Sequence, residues 1–347
     1  MKATKTDLSS MKYEELTEYL KNIGEPEYRS KQIFKWLTRG ITSFDEMNDI
    51  RKDLRIKLDE ACIITQLTVA EKHESSDGTI KYLFRLKDGL FIETVVMNYK
   101  YGNTVCISSQ GGCRMECAFC ASTLNGRERN LTSGEMLAQV IYTNKEYGIS
   151  HVVVMGVGEP LDNYDNLITF LYNINNPLGL NISHRKVSVS TCGLVDKIDE
   201  LAALDLQITL SISLHAPDDN TRNKIMPINK KWNVSALMAA CKRYMSSTNR
   251  RISFEYILIK DINDTQNHAK ALCALLKNFI CHVNLIPANF VEERGLKSSS
   301  PEQIRLFHNI LSKNHVNATI RRTLGGEIDA SCGQLRHKHI LKSHSDV

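Results

Sequence analysis

Residues 106–131, CISSQGGCRMECAFCASTLNGRERNL, hold the densest chemistry in the chain. Cys113, Cys117 and Cys120 stand in C-x3-C-x2-C spacing, with Phe119 just before the third thiol. Three thiolates so close in sequence suit one polynuclear cluster or one soft metal ion. The odd number separates the two. A closed structural zinc site takes four ligands, whereas a four-iron cluster on three cysteines leaves one iron for a ligand that is not protein. The chain has eleven histidines, so a zinc site completed by a distant His or Cys is the competing expectation.

The elements that must position these thiols read out as follows. The chain has 347 residues, enough for one large domain and a smaller one. It lacks an apolar run of about 18 residues, so no membrane span is expected. The N-terminus, MKATKTDLSSMKYEEL, has no apolar leader-like stretch, and a cytoplasmic protein is expected. Its ten cysteines then read as thiols or ligands rather than structural disulfides. A net charge of +5 is compatible with nucleic acid but points to it only weakly.

Residues 9–62 read as small amphipathic helices. Tyr13, Leu16, Tyr19 and Leu20 form a stripe ended by Gly24. Tyr28, Ile33, Phe34, Trp36 and Leu37 form a second, stopped by Gly40. Ser43 and Asp45 introduce a third carrying Leu54, Ile56 and Leu58. Basic residues among the aromatics suit either a helical core or a nucleic-acid-docking module. Residues 79–97 read as a β-hairpin around Lys87-Asp88-Gly89. Within it, Glu93 has the pattern of a solvent-facing position, with a carboxylate aimed at substrate as the sharper reading.

From residue 104 strand-like and helical runs alternate. Strands are expected at 104–108, 151–155, 186–190, 207–214, 252–258 and 282–287. Helices follow each, at 132–148, 162–175, 195–204, 233–248, 264–280 and 301–314, with a last short strand at 317–321. Six β/α units with β-branched strands predict an α/β fold with a parallel sheet, either barrel-like or doubly wound. In such barrels chemistry gathers at the C-terminal strand ends. Those ends carry the cysteine triplet, then Gly156-Val157-Gly158-Glu159-Pro160, Ser190-Thr191-Cys192-Gly193, Ser213-Leu214-His215 and Asn289. Glycine backbone, a carboxylate, hydroxyls and an amide around a cysteine loop suit an amino acid nucleoside.

The triplet resembles the signature of the radical S-adenosylmethionine (SAM) superfamily. The resemblance sharpens over YRSKQIFKWL, IETVVM, CISSQGGCRMECAFC, RNLTSGEM, VMGVGEPLDNYDN, ISLHAP, IMPINKKW, HVNLIP and IDASCGQL. Together these are similar to the radical-SAM RNA methyltransferases that modify one adenosine of large-subunit rRNA. That family includes C2 methylases, some also acting on tRNA, and C8 methylases that confer antibiotic resistance. KQIFKWL and GEPL lean to C2. The resemblance implies a partial (β/α)6 radical-SAM barrel over 101–347, a helical RNA-docking domain over 1–75 and a β-hairpin linker over 76–100. It also implies one [4Fe-4S] cluster on Cys113, Cys117 and Cys120, and two SAM molecules per turnover. SAM contacts carry over to Gly158, Glu159, Ser190, Ser213, Leu214, His215 and Asn289, although His215 on its own reads as a buried, satisfied histidine.

Cys332, in IDASCGQL, is the methyl carrier by the same resemblance. Adenine C2 and C8 are not nucleophiles, so direct transfer from SAM fails. One SAM methylates Cys332, and the deoxyadenosyl radical from a second takes hydrogen from the S-methyl group. The resulting carbon radical then adds to the base. Glu93 or Cys106 takes the ring proton, the choice staying open, and a Cys106–Cys332 disulfide releases product. The implied partners are 23S rRNA, tRNA as a further substrate, and an external electron donor such as flavodoxin or ferredoxin.

The loop ANFVEERGLKSSSPEQ after HVNLIP departs from the Pro- and Gly-rich pattern of the C2 enzymes. Phosphate contacts are expected from the N-terminal helices, Arg321, Arg322 and the tail residues Arg336, His337, Lys338, His339 and Lys342. Two rival readings differ in class. One is radical-SAM chemistry on a small molecule; the other is a zinc-stabilised RNA-binding protein without catalysis.

Overall fold

A computed structural model of the chain describes residues 5–289, 292–322, 328, 333–337 and 339. Cys332, Lys338 and Lys342 lie outside the described residues.

The N-terminal part begins with β1 (Thr6–Asp7), followed by α1 (Tyr13–Asn22), α2 (Tyr28–Thr38) and α3 (Lys52–Ala61); β2 (Cys62–Ile63) then pairs with β1. Its own core is Leu16, Leu20, Ile33, Phe34, Leu37, Leu54 and Leu58, with Tyr13 set edge-on to Phe34. Two details differ from the sequence reading. Ser43 caps a 3-10 turn at Phe44–Glu46, while α3 starts after Arg51. Leu54 and Leu58, four apart, face the core, whereas Ile56 is 48% exposed, as helical geometry requires of a residue two positions from each.

The remaining strands build one ten-stranded sheet. Antiparallel β3 (Thr68–Glu74), β4 (Ile80–Arg85) and β5 (Phe91–Tyr99) lead to β6 (Gly102–Cys106). A two-stranded ribbon, β7 (Gln110–Gly112) and β8 (Arg127–Asn130), follows outside the sheet. Then come α4 (Ser133–Tyr147), β9 (Ile149–Val154), α5 (Tyr164–Asn175), β10 (Val187–Thr191), α6 (Val195–Ala202) and β11 (Thr209–Ser213). α7 (Asp219–Ile225), α8 (Val234–Thr248), β12 (Ile252–Leu258), α9 (Gln266–Leu276), β13 (Cys281–Pro287), α10 (Pro301–Lys313) and β14 (Ala318–Ile320) complete it. The order is β14-β13-β12-β11-β10-β9-β6-β5-β4-β3, with β6 and β9 to β14 parallel. This is the partial six-unit barrel expected. The hairpin strands continue the same sheet through the β5–β6 pairing.

Period-2 alternation sorts the strand residues. Val105, Val152, Val154, Val189, Leu210, Ile212, Phe254 and Leu285 are buried in the main core. On the other face, Val95, Met97 and Cys106 form a separate apolar group with Tyr99, Val153 and Met155. Strand register sets Ser213, Glu255 and Asn284 side by side on that face. The inner wall is thus apolar on β5, β6 and β9 and polar on β11 to β13. Ser10, Met11 and Gly40 fasten the helical part to the barrel by bonds with Ser133, Asn173 and Lys145.

Candidate active site

The cysteine loop is a lasso closed at its base. Gly112 ends β7 with φ +82°, and a Cβ there would lie 1.9 Å from the Gly126 carbonyl oxygen; only glycine tolerates both the angle and the approach. The Cys113 amide donates to that same carbonyl at 3.0 Å. Asp162 draws the lasso onto the barrel, accepting from Arg114 Nε at 3.1 Å, Arg127 Nη1 at 2.7 Å and Gln110 Nε2 at 3.0 Å. On its far side the Ala118 amide donates to the Ile225 carbonyl, the last residue of α7, at 2.9 Å. Phe119 meets the His215 ring edge-on, with centroids 4.8 Å apart.

Cys113, Cys117 and Cys120 line one cavity of about 240 Å³ with Gly158, Glu159, Ser190, Ser213, His215, Glu255, Asn289 and Gln334. Burial pushes the Cys113 thiol up to about 12 and the Cys117 thiol well above its usual value. Such thiols ionise only against a strong positive charge such as a metal. Among the described residues no three or more His, Cys, Asp and Glu side chains are grouped closely enough to hold a single metal ion. Three thiols lining one cavity fit the cysteine set of a polynuclear cluster.

The remaining expected contacts divide. Gly156 and Gly158 serve the protein's own backbone first: a Cβ on Gly156 would meet the Ile107 carbonyl at 2.7 Å, and one on Gly158, at φ +112°, Gln110 at 2.7 Å. Glu159 is buried; its Oε1 accepts from the Leu161 amide at 3.0 Å and its Oε2 from the Cys192 amide at 2.7 Å. Burial raises its pKa, and no cation among the described residues pairs with it, which fits the ammonium of an amino acid ligand. The Ser190 and Ser213 hydroxyls lie 3.5 Å apart. His215, at φ +58°, accepts at Nδ1 from the Ile257 amide at 3.0 Å, so its proton sits on Nε2. Burial and then the Arg222 guanidinium push its pKa down to about 3. It is both a satisfied buried histidine and a cavity wall. Leu214 is off the cavity: its amide donates to the Glu255 carbonyl and its own carbonyl accepts from Arg222 Nε.

Glu93 corrects the sequence pattern. It is 2% exposed rather than solvent-facing, 3.0 Å from the fully buried Lys81 ammonium. Its Oε2 accepts from the Gly333 amide and its Oε1 from the Arg336 amide, each at 2.7 Å. A Cβ on Gly333 would meet the Ser122 amide nitrogen at 2.7 Å, so this segment lies against the cysteine loop, and Gln334 reaches the cavity. Alternation alone missed this, because Lys81 and Glu93 form a buried pair across β4 and β5. Cys106 faces the barrel interior one strand away from the cavity wall.

The expected phosphate contacts are also corrected in part. Arg336 is buried, with Nε donating to the Phe91 carbonyl at 2.9 Å and the guanidinium paired to Glu128. His337 and His339 bond Glu293 and Glu71 at 2.7 Å. Arg321 is exposed and also lines the cavity. In the divergent loop, Arg294 Nη2 donates to Thr123 Oγ1 at 2.7 Å, tying it to the end of the cysteine loop.

The comparisons with known proteins agree with this geometry. Residues 107–272 match the radical SAM superfamily, and residues 6–64 match the ribosomal RNA large subunit methyltransferase N-terminal domain. A protein of Desulforamulus reducens, described as a probable dual-specificity RNA methyltransferase RlmN, is 48% identical over 343 residues, 98% of both chains. One of Lachnospira eligens with the same description is 50% identical, covering 96% of this chain and 97% of its own. The crystal structure of a radical SAM methyltransferase from Sphaerobacter thermophilus superposes with a TM-score of 0.90 at 40% identity, covering 95% of this chain and 98% of that one. The chain therefore belongs to the RlmN family of radical-SAM RNA methyltransferases.

Proposed function

We propose that the enzyme methylates C2 of an adenosine in 23S rRNA, and an adenosine in tRNA as well, with Cys332 carrying the methyl group. The observation that carries this reading is the anchoring of Gly333 and Arg336 by Glu93, beside the cavity that Cys113, Cys117 and Cys120 share with Gln334. It brings the backbone next to Cys332 to the cluster loop. When bound, the [4Fe-4S] cluster and SAM supply a deoxyadenosyl radical. Cys113, Cys117 and Cys120 hold the cluster. Glu159 receives the SAM ammonium, Ser190 and Ser213 its ribose hydroxyls, and Gly158, His215 and Asn289 complete the cradle. Cys106 resolves the adduct by disulfide formation with Cys332. Both Glu93 oxygens accept backbone amides, which supports Glu93 as the anchor of the carrier segment and leaves Cys106 the ring proton.

The N-terminal helical part docks RNA through Tyr28, 54% exposed with Arg29 over its ring, and Trp36 beneath Arg39. A single adenosine in folded RNA must leave its stack to reach the cavity. A low-potential donor such as flavodoxin or ferredoxin supplies the electron. No helix among the described residues is long and apolar enough to cross a membrane, in keeping with action on RNA in the cytoplasm.

The test is mass spectrometry of rRNA and tRNA incubated with anaerobically reconstituted enzyme, SAM and reductant, wild type against Cys332→Ala. 2-Methyladenosine from the wild type alone is expected. An 8-methyladenosine product refutes the C2 assignment, and equal methylation by Cys332→Ala refutes the carrier.

A further inference from the structure

Arg222, on α7, is the largest fully buried side chain among the described residues. Its hydrogen bonds among the described residues all go to neutral acceptors. Nε donates to the Leu214 carbonyl at 3.0 Å, Nη1 to Asn229 Oδ1 at 3.0 Å, and Nη2 to the Cys192 carbonyl at 2.7 Å and the Ser213 carbonyl at 3.2 Å. No carboxylate forms an ion pair with it among the described residues; Asp219 is reached only through Asn229 Nδ2, at 2.9 Å. A buried cation without a paired anion costs several kcal/mol. A fold retains one where something offsets the charge.

The geometry points to what that is. Cys192, whose carbonyl Arg222 holds, gives its amide to Glu159, a wall of the cysteine cavity. α7 itself touches the cysteine loop, its Ile225 carbonyl accepting from Ala118. The titratable groups facing the guanidinium are Cys192, Cys117, Asp219, Cys241 and His215. Three of these five lie on the cavity wall: Cys117, Cys192 and His215.

We propose that Arg222 is a positioning residue that acts electrostatically, as a fixed positive charge that offsets the anionic thiolate-bound cluster and makes its one-electron reduction easier. Its fork also ties the ends of β10 and β11, which carry Ser190 and Ser213. The electron comes from the external low-potential donor, and the added negative charge is met by a cation already desolvated before the reduction step. Arginine suits this place because it stays charged when buried, whereas lysine loses its proton there. The proposal rests on the cluster assignment to Cys113, Cys117 and Cys120.

The test is an EPR-monitored redox titration, without RNA, of reconstituted wild type, Arg222→Gln and Arg222→Lys. Arg222→Gln is expected to cut the ratio of reduced to oxidised cluster at the wild-type midpoint about tenfold, about 59 mV for a one-electron couple. Arg222→Lys is expected to approach the wild-type midpoint only at acid pH and to lose it as pH rises, because the buried ammonium gives up its proton below neutrality; the wild type lacks that added pH dependence. A cluster-loaded Arg222→Gln with the wild-type midpoint overturns the proposal. Should the Gln variant not fold, a Lys variant whose midpoint follows the wild type at every pH overturns it. Wild-type protein that takes up no iron overturns the cluster assignment itself.

Discussion

Replacing Glu93 by Gln tests the anchoring of the carrier segment. The carboxylate is 2% exposed, 3.0 Å from a fully buried ammonium, and accepts two backbone amides. Glutamine keeps the shape but removes the charge and turns one acceptor into a donor. Breaking one side of a buried ion pair costs about 3–5 kcal/mol. At about 2 °C per kcal/mol, the large-domain end of the scaling, the unfolding midpoint falls by about 6–10 °C. Deuterium exchange adds a local readout: the Gly333 and Arg336 amides lose their acceptors and exchange faster, while the core of α4 does not change. A double variant, Lys81→Met with Glu93→Gln, recovers more than half of the loss, because the unpaired ammonium is then gone. The reasoning fails if Glu93→Gln loses under about 2 °C, by the same scaling, and leaves both amides protected.

Gly112→Ala sets a Cβ against the Gly126 carbonyl at the base of the lasso, and iron uptake on reconstitution is expected to collapse; wild-type iron content refutes this. His215 titrates at about 3 in the fold and near about 6.5 when unfolded. The unfolded chain takes the proton first, so this contribution is complete above about pH 6.5 and fades as pH falls toward 3, by about 1.4 kcal/mol per unit. Denaturant titrations at pH 7 and pH 5 should therefore show His215→Gln losing about 2 kcal/mol less than the wild type; equal losses refute it. RNA affinity is expected to fall at least tenfold between 50 and 200 mM salt, in the manner of several phosphate contacts, and a flat filter-binding curve across that range argues against a charge-led interface.

The order of elements and the chemistry at the strand ends are written in local sequence. The C-x3-C-x2-C loop, the six β/α units and the hairpin turn at Asp88-Gly89 are local signals, because spacing, alternation and turn chemistry act over a few residues. Which polar residues are buried, and against whom, emerges only in the folded molecule. Glu93 reads as a surface position in a strand, yet it forms a buried pair with Lys81 because β4 and β5 are covered on both faces. Arg222 lies outside every helix the spacing predicts, on a helix too short for periodicity to reveal, and becomes a buried cation because the ends of β10 and β11 close over it. Glu159 stands out in the sequence for its charge, but its bonds to the Leu161 and Cys192 amides join segments 33 residues apart. Leu214, next to two cavity residues in sequence, turns out of the cavity because successive side chains at a strand end point to opposite faces. Pairings of this kind depend on where distant strands are brought together, and no local pattern encodes that.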